Sequence, residues 1–233
     1  MAKRPIFIPD TSGPCPVRTQ YVDFQWHPGL AVSQKQKSID SLHEAARTLS
    51  GVDRVLEISS KSQDKLGVSL SAFNLTFMDA ALDRWLSVEC AFQGSKVFEK
   101  AGPFTDMFAM APRDAKRDER LQTSGRLTGF RFMGRDWGLE PQTAFYDWLY
   151  ISALKGRKDL ADRLAGYSAF TDIEFNPEKS INCQAYSVAL FVALQRGNLL
   201  EKATSSQEAF LNFLRSRSVN NARQDDTQQQ RLF

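Results

Sequence analysis

Three side chains in the stretch 87–98 could carry out chemistry on a polar ligand: Glu89, Gln93 and Lys96. If this stretch is helical, they lie at positions i, i+4 and i+7 and share one face of the helix. A carboxylate can move protons, an amide can hold a hydroxyl group or a base, and an amine can act as a nucleophile. Taken alone, such a triplet is more often a solvated helix face. The surrounding sequence has to decide between the two interpretations.

Hydrophobic patterning predicts the elements that position these residues. The 3.6-residue period predicts further helices over 38–49, 104–122, 141–154, 158–164, 181–196 and 206–215. Strand-like segments lie at 21–26, where alternation favours an edge strand, and at 55–58, 68–73 and 127–133. Because helices outnumber strands, we expect an α+β fold, a mostly helical single domain with a small β-sheet.

The chain divides into three regions by composition. Residues 1–54 begin with a proline-rich segment and form an N-terminal extension that we expect to pack on the core. Residues 55–217 form the main domain, which we expect to be the catalytic domain if the protein is an enzyme. Residues 218–233 are polar and have nothing to bury, so we expect a flexible tail.

Composition excludes several classes of protein. Of the 233 residues, 42% are hydrophobic and 24% charged, as in ordinary globular proteins, and the net charge of +3 is too small to indicate nucleic acid by itself. A local cluster of Arg113, Lys116, Arg117 and Arg120 could still contact phosphates. No leader peptide or long apolar run is present, so we expect a cytoplasmic protein without membrane contact. Three unpaired cysteines and two histidines favour a reducing compartment and argue against a metal site.

A second candidate set lies in the polar loop 170–182, which precedes an apolar helix. Asp172, Ser180 and Asn182 could hold a ribose or, with the helix N-terminus, a diphosphate. Alternatively, Asp172 makes an Asx-turn and Ser180 is a plain N-cap. Trp137 could stack on a base or fill the core, and the core is the commoner place for tryptophan. Phosphate-binding glycine motifs and a nucleophile elbow are absent.

The stretch Ser87-Val-Glu89-x-x-Phe92-Gln93-x-x-Lys96 resembles the helix motif S-x-E-x-x-F-Q-x-x-K of the NADAR family. The similarity extends to Ile58-Ser59-Ser60, to the segment 70–74 that ends in Asn74, to 115–117 and to Asp136-Trp137. Loop 170–182 lacks the glycines that the family usually carries. Segments 34–43 and 175–184 are similar to the branch that accompanies a DNA ADP-ribosyltransferase toxin.

The resemblance implies an N-glycosidase that removes ADP-ribose from guanine bases in DNA, a form of DNA repair, and that acts as the antitoxin to that toxin. Its substrate would be ADP-ribosylated DNA, its product ADP-ribose, and no cofactor or metal would be needed. It also assigns roles to residues. Lys96 and Glu89 would be catalytic, and the substrate would be bound by Ser59, Asn74, Gln93, Trp137, Asp172, Ser180 and Asn182.

Two routes for bond cleavage stay open. Lys96 could displace guanine by forming a Schiff base with the opened ribose, while Glu89 moves protons. Alternatively, Glu89 or Asp172 could stabilise an oxocarbenium-like ribose that water attacks. Other functions are an N-glycosidase acting on phosphorylated ribosylamino pyrimidines of riboflavin synthesis, or a non-catalytic module that binds ADP-ribose or neutralises the toxin by contact.

Overall fold

The apolar stretch Gln184–Arg196 forms a helix that is buried along nearly its whole length. In the computed structural model, which describes residues 1–13, 15–79 and 83–216, every residue from 185 to 194 is buried. A helix that is apolar on all sides belongs in the interior of a domain. The other elements pack around it in a single mixed α+β domain, as predicted.

Short strands and helices alternate along the chain. The strands are β1 (Ala2–Pro9), β2 (Val17–Phe24), β3 (Val55–Glu57), β4 (Thr76–Asp79), β5 (Arg84–Ser87), β6 (Lys96–Phe98), β7 (Leu127–Phe132), β8 (Arg135–Trp137) and β9 (Ala169–Thr171). The helices are α1 (Val32–Ala46), α2 (Lys65–Ser69), α3 (Val88–Gly94), α4 (Pro112–Arg117), α5 (Arg120–Thr123), α6 (Ala144–Lys155), α7 (Lys158–Ala161), α8 (Gln184–Arg196), α9 (Leu200–Ala203) and α10 (Gln207–Ser216). Two 3₁₀ turns occupy Thr105–Ala109 and Asp162–Gly166.

The principal sheet has the strand order β2-β1-β9-β3. Strands β1 and β2 are antiparallel, β1 meets β9 at the single pair Phe7–Phe170, and β9 runs parallel to β3. Helix α8 lies against β1 and β9, and α6 lies against α8. The hairpin β4-β5 and the sheet β6-β7-β8 are separate and smaller.

The N-terminal residues are part of the principal sheet. The predicted edge strand over 21–26 is confirmed as β2, although it begins earlier, at Val17. Strand β1 was not expected, because Pro5 and Pro9 cannot donate ladder hydrogen bonds. Neither proline lies at Phe7, the one position at which β1 pairs with β9. The rest of that edge of β1 pairs with no other strand among the described residues.

The helix predicted over 87–98 is shorter than expected. It begins after Ser87, whose hydroxyl accepts a hydrogen bond from the Cys90 amide at 3.1 Å, and it ends at Gly94. A side chain at Gly94 would meet the Phe108 ring at 2.6 Å and the Phe104 carbonyl oxygen at 2.9 Å. The next residues turn into β6, in which Lys96 pairs with Phe130. The prediction that Lys96 lies on a helix is therefore wrong.

Other boundaries also differ from the predictions. The prediction of a strand over 68–73 is wrong. Asp64 instead caps a short helix, α2, by accepting a hydrogen bond from the Leu66 amide at 2.8 Å. The helix over 104–122 is divided, since Pro112 begins α4 and Asp118 leaves the helical conformation. Helix α6 begins at Ala144, after Thr143 at φ 65°, and not at Pro141.

Several predictions agree closely with the structure. The expected strands at 55–58 and 127–133 correspond to β3 and β7, and the expected helices at 181–196 and 206–215 correspond to α8 and α10. The helix at 38–49 is α1, which begins six residues earlier. Helix 158–164 becomes α7 followed by a 3₁₀ turn. The predicted tail, 218–233, lies outside the described residues.

Among the described residues, no helix has both the length and the apolar character needed to span a membrane.

Replacing Gly94 by alanine tests the close packing that ends α3. The added methyl group would overlap the Phe108 ring and the Phe104 carbonyl oxygen, so we expect a loss of about 1–3 kcal/mol in the free energy of unfolding. Gly156→Ala is the matched control, because its Cβ would lie 3.5 Å from the nearest atom, in ordinary contact. That variant should stay within about 1 kcal/mol of the wild type in denaturant titrations. Equal stability of the two variants would contradict the packing account.

Candidate functional site

A cleft of about 710 Å³ opens between α3, α4 and the loops that follow β3 and β9. Its walls include Ser59 after β3, Glu89 on α3, Lys116 on α4, and Asp172 and Asn182 in the loop before α8. We call it the polar cleft. The predicted site residue Ser180 also lines it, so the fold brings together residues that are far apart in the chain.

Glu89 is buried at one wall of the polar cleft, with 5% of its surface exposed. Its Oε1 accepts a hydrogen bond from Gln93 Nε2 at 2.8 Å, one turn further along α3. Gln93 is also buried, does not line the cleft, and its Oε1 accepts no hydrogen bond within the described parts of the chain. The amide therefore orients the Glu89 carboxylate, and its expected contact with substrate stays a prediction.

Lys96 approaches the same region from β6. Its Nζ lies 4.9 Å from the centroid of the Phe92 ring, and the residue is half-buried. Burial lowers the pKa of Lys96 to about 8, a shift that the Glu89 carboxylate opposes and the Lys116 ammonium strengthens. With a pKa of about 8, roughly a tenth of Lys96 is neutral at pH 7, far more than for an ordinary lysine, and a lysine nucleophile acts in this neutral form.

Lys96 lines a second cavity, of about 430 Å³, beside the polar cleft. Phe92, Phe130 and Leu139 also form its walls, and we call it the apolar cavity. The two cavities share the lining residues Tyr146, Ser180 and Asn182. Glu89 therefore faces one cavity and Lys96 the other, with the shared residues between them.

Asp172 makes the Asx-turn that the sequence suggested. Its Oδ1 accepts hydrogen bonds from the Glu174 amide at 3.0 Å and the Phe175 amide at 3.2 Å, and the residue still lines the polar cleft. Burial raises the pKa of Asp172 well above its usual value, and the nearby carboxylate of Glu57 raises it further. A protonated carboxyl group could donate a hydrogen bond to a ligand as well as accept one.

A buried network of hydrogen bonds, centred on Glu57, positions the loop that contains Asp172. Glu57 accepts from the Thr171 hydroxyl at 2.7 Å and from the Ile173 amide at 2.8 Å, on both sides of Asp172. His43 Nε2 lies 3.0 Å from the same Thr171 hydroxyl. Because that hydroxyl donates its proton to Glu57, it accepts from the imidazole N–H. Burial raises the pKa of Glu57 and lowers that of His43 to about 4.

The remaining polar residues of the site are held by the backbone. Ser59 is buried, and its hydroxyl accepts a hydrogen bond from the Lys61 amide at 3.1 Å. The Ser180 hydroxyl donates to the Asn182 carbonyl at 3.1 Å. The alternative that Ser180 caps the last apolar helix is wrong, because α8 begins at Gln184.

Besides Gln93, two more predicted site residues lie outside both cavities. Asn74 donates a hydrogen bond to the Val68 carbonyl at 2.8 Å and so stabilises the turn after α2. Trp137 is only 3% exposed and packs against Phe145 and Trp148, with ring centroids 5.5 and 5.0 Å away. We therefore correct the interpretation of Trp137 as a stacking surface, since its ring is enclosed by the core.

Other residues of the site were not identified from the sequence. Tyr146 lines both cavities, but its position on an aromatic-rich helix made it indistinguishable from a core residue. Lys61, Arg113, Lys116 and Arg117 form a basic rim around the polar cleft, and all but Lys61 belong to the noted basic cluster. Arg120, the fourth member of that cluster, instead pairs with Asp106 and Asp118. Within the described residues, no group of three His, Cys, Asp or Glu side chains could hold a metal ion.

The match to known proteins covers all of these residues. A family model described as the DarT1-associated NADAR antitoxin matches residues 2–224. No curated protein matches the sequence. The match extends from β1 to beyond α10 and therefore includes the N-terminal strands, both cavities and the Asp172 loop. The chain belongs to the family of DarT1-associated NADAR antitoxins.

Proposed function

We propose that this antitoxin is an N-glycosidase that removes ADP-ribose from guanine bases in DNA and so reverses the action of a DNA ADP-ribosyltransferase toxin. The observation that carries the proposal is the half-buried Lys96, which lines the apolar cavity, is close enough to Glu89 for that charge to act on it, and has a pKa lowered to about 8. Family membership supports the toxin as functional partner. A binding module would have no need for a lysine that is partly neutral.

The polar cleft suits ADP-ribose. The basic rim of Lys61, Arg113, Lys116 and Arg117 surrounds its mouth, and a diphosphate is stabilised by such cations. Ser59, Asp172 and Asn182 offer hydroxyl, carboxyl and amide groups deeper in the cleft, which suit the hydroxyl groups of the two riboses. The volume of about 710 Å³ lies within the usual range of ligand sites, roughly 300–1,000 Å³.

The chemistry begins with opening of the ribose ring. The guanine-linked ribose is a glycosylamine, so its C1′–O4′ bond can break while the Glu89 carboxylate takes the proton of the guanine nitrogen and passes it to O4′, which gives an imine between C1′ and the guanine nitrogen. The neutral Lys96 amine adds to C1′ of this imine. The two protons of the Lys96 nitrogen then move in turn through Glu89 to the guanine nitrogen, and the C1′–guanine bond breaks.

The product is a Schiff base between Lys96 and C1′. Water adds to C1′, the Lys96 nitrogen takes a proton and leaves, and the resulting aldehyde closes to ADP-ribose. Lys96 and Glu89 are restored, so one protein molecule can process many substrates. No external oxidant or reductant is required.

Reduction during turnover tests the covalent intermediate. With an ADP-ribosylated guanine oligonucleotide and cyanoborohydride, we expect a stable ADP-ribose adduct on Lys96, located by peptide mass spectrometry. Lys96→Ala should give no adduct and should release ADP-ribose about a thousandfold more slowly or worse, because the nucleophile is lost.

Lys100→Ala is the matched control, since Lys100 is exposed and lines neither cavity. It should form the adduct like the wild type. Full activity of Lys96→Ala together with loss in Glu89→Ala would support direct glycosidic cleavage. Absence of free ADP-ribose after incubation of the oligonucleotide with the protein would support a binding module. If a phosphorylated ribosylamino pyrimidine in the same assay is cleaved in preference to the oligonucleotide, the substrate is an intermediate of riboflavin synthesis.

The pH dependence of single-turnover cleavage tests the state of Lys96. Only the neutral amine attacks, so the rate should fall about tenfold per unit below the Lys96 pKa. It should level off above that pKa, which is about 8. A rate that is constant between pH 6.5 and 9 would contradict a lysine nucleophile with this pKa.

Two variants should shift that profile in opposite directions. Glu89→Gln removes the charge that raises the Lys96 pKa, so the midpoint should move to lower pH. Its plateau should also fall by about 10²–10⁴. Lys116→Ala removes a cation that lowers the Lys96 pKa, so its midpoint should move to higher pH. Shifts in the same direction would show that the observed titration belongs to another group.

A further inference from the structure

The apolar cavity has no role in holding ADP-ribose if the polar cleft does so. It has a volume of about 430 Å³ and is lined by Lys96 but not by Glu89, which lines the polar cleft. We propose that the apolar cavity binds the guanine base that departs during cleavage. This inference rests on the function proposed above and extends it to the leaving group.

The walls of the apolar cavity suit a flat heterocycle. Phe92 and Phe130 lie with ring centroids 5.4 Å apart, and Phe130 stacks on Phe145 at 4.8 Å. All three phenylalanines line the cavity. Aromatic surfaces of this kind bind bases by stacking, which every base can provide. The polar cleft has the rings of Phe73, Tyr146 and Phe175 in its walls, but no two of these pair with each other in the described structure. Its four cations suit phosphate.

Leu139 lies at the opposite wall and is unusually exposed for a large apolar residue. It lines the cavity with 41% of its surface accessible, in the segment between β8 and α6. An exposed leucine contributes little to folding, but it can cover one face of a bound base. Glu140 and Gln142 follow in the same segment and line the cavity, offering acceptors and a donor for the N–H and carbonyl groups on a guanine edge.

Buried hydrogen bonds hold the end of this segment in a strained backbone conformation. Thr143 lines the cavity at φ 65°, a left-handed conformation that is unfavourable for a β-branched residue. Its hydroxyl donates to Asp147 at 2.6 Å, and Asp147 also accepts from Ser187 on α8 at 2.6 Å. Backbone strain held by buried contacts tends to cluster at ligand sites.

The residues that line both cavities indicate where the scissile bond would lie. Tyr146, Ser180 and Asn182 line both cavities. An ADP-ribose in the polar cleft whose C1′ reaches Lys96 must therefore direct its C1′ substituent into the apolar cavity. Lys96 lies over the ring of Phe92, and both residues line the apolar cavity, so the amine and the departing base share one wall.

Narrowing the apolar cavity without changing Lys96 tests the assignment. Leu139→Trp should reduce release of ADP-ribose from ADP-ribosylated guanine DNA by about tenfold or more, because the base is displaced from its binding position. Cyanoborohydride trapping of free ADP-ribose on Lys96 should stay within about twofold of the wild type, since that substrate carries no base. Leu30→Trp, the same substitution at a fully exposed leucine, should leave both reactions unchanged. Thermal melting checks that each variant is folded.

The outcomes separate the two proposals. Normal cleavage by Leu139→Trp would overturn the base-binding role while leaving the glycosidase intact. Equal losses in cleavage and in free ADP-ribose trapping would also overturn it, because the substitution would then act on Lys96. Failure of the wild type to release ADP-ribose from DNA would overturn the proposed function and this inference with it. Loss of cleavage together with normal trapping of free ADP-ribose would support the base-binding role of the apolar cavity.

Discussion

Gly94 lies so close to the Phe108 ring and the Phe104 carbonyl oxygen that a side chain there would overlap them. Helix α3 ends at this contact, and the chain turns directly into β6. Glu89 consequently lies on a helix and Lys96 on a strand. Both groups of the proposed chemistry depend on this junction, because a continued helix would carry Lys96 along the helix axis and away from the shared wall of the two cavities.

Burial sets the electrostatics of the site. Lys96 loses hydration, and the charges of Glu89 and Lys116 act on it in opposite directions, so its pKa stays near 8. On the other side of the polar cleft, Asp172 and Glu57 are both buried carboxyl groups whose pKa values are raised. Hydrogen bonds from Thr171 and Ile173 satisfy Glu57. The site as a whole thus combines a weakly basic amine in the apolar cavity with buried carboxyl groups, in and below the wall of the polar cleft, that hold their protons more tightly than in water.

Residue identity predicted more of the site than periodicity did. The motif residues Glu89 and Lys96 contribute to the same site, although the helix predicted to contain both of them ends at Gly94. Periodicity could not predict this end, because it coincides with the close tertiary contacts of Gly94. Asp172 forms its Asx-turn through local bonds that the sequence can indicate. Trp137, at the end of β8, and Tyr146, near the start of α6, show the limit. Both are large aromatic residues, and only the packed structure distinguishes the core residue from the cavity residue.

The single pair between β1 and β9 connects the beginning of the chain to the residue before the Asp172 loop. In a growing chain, α3 and β6 are made long before β9, so Lys96 exists before the loop that closes the polar cleft. Contacts this distant in sequence form late, because a large loop must be closed first. Binding of substrate therefore has to wait until the chain has been made at least as far as this loop, and loss of β1 would remove a strand that pairs with β9 just before it.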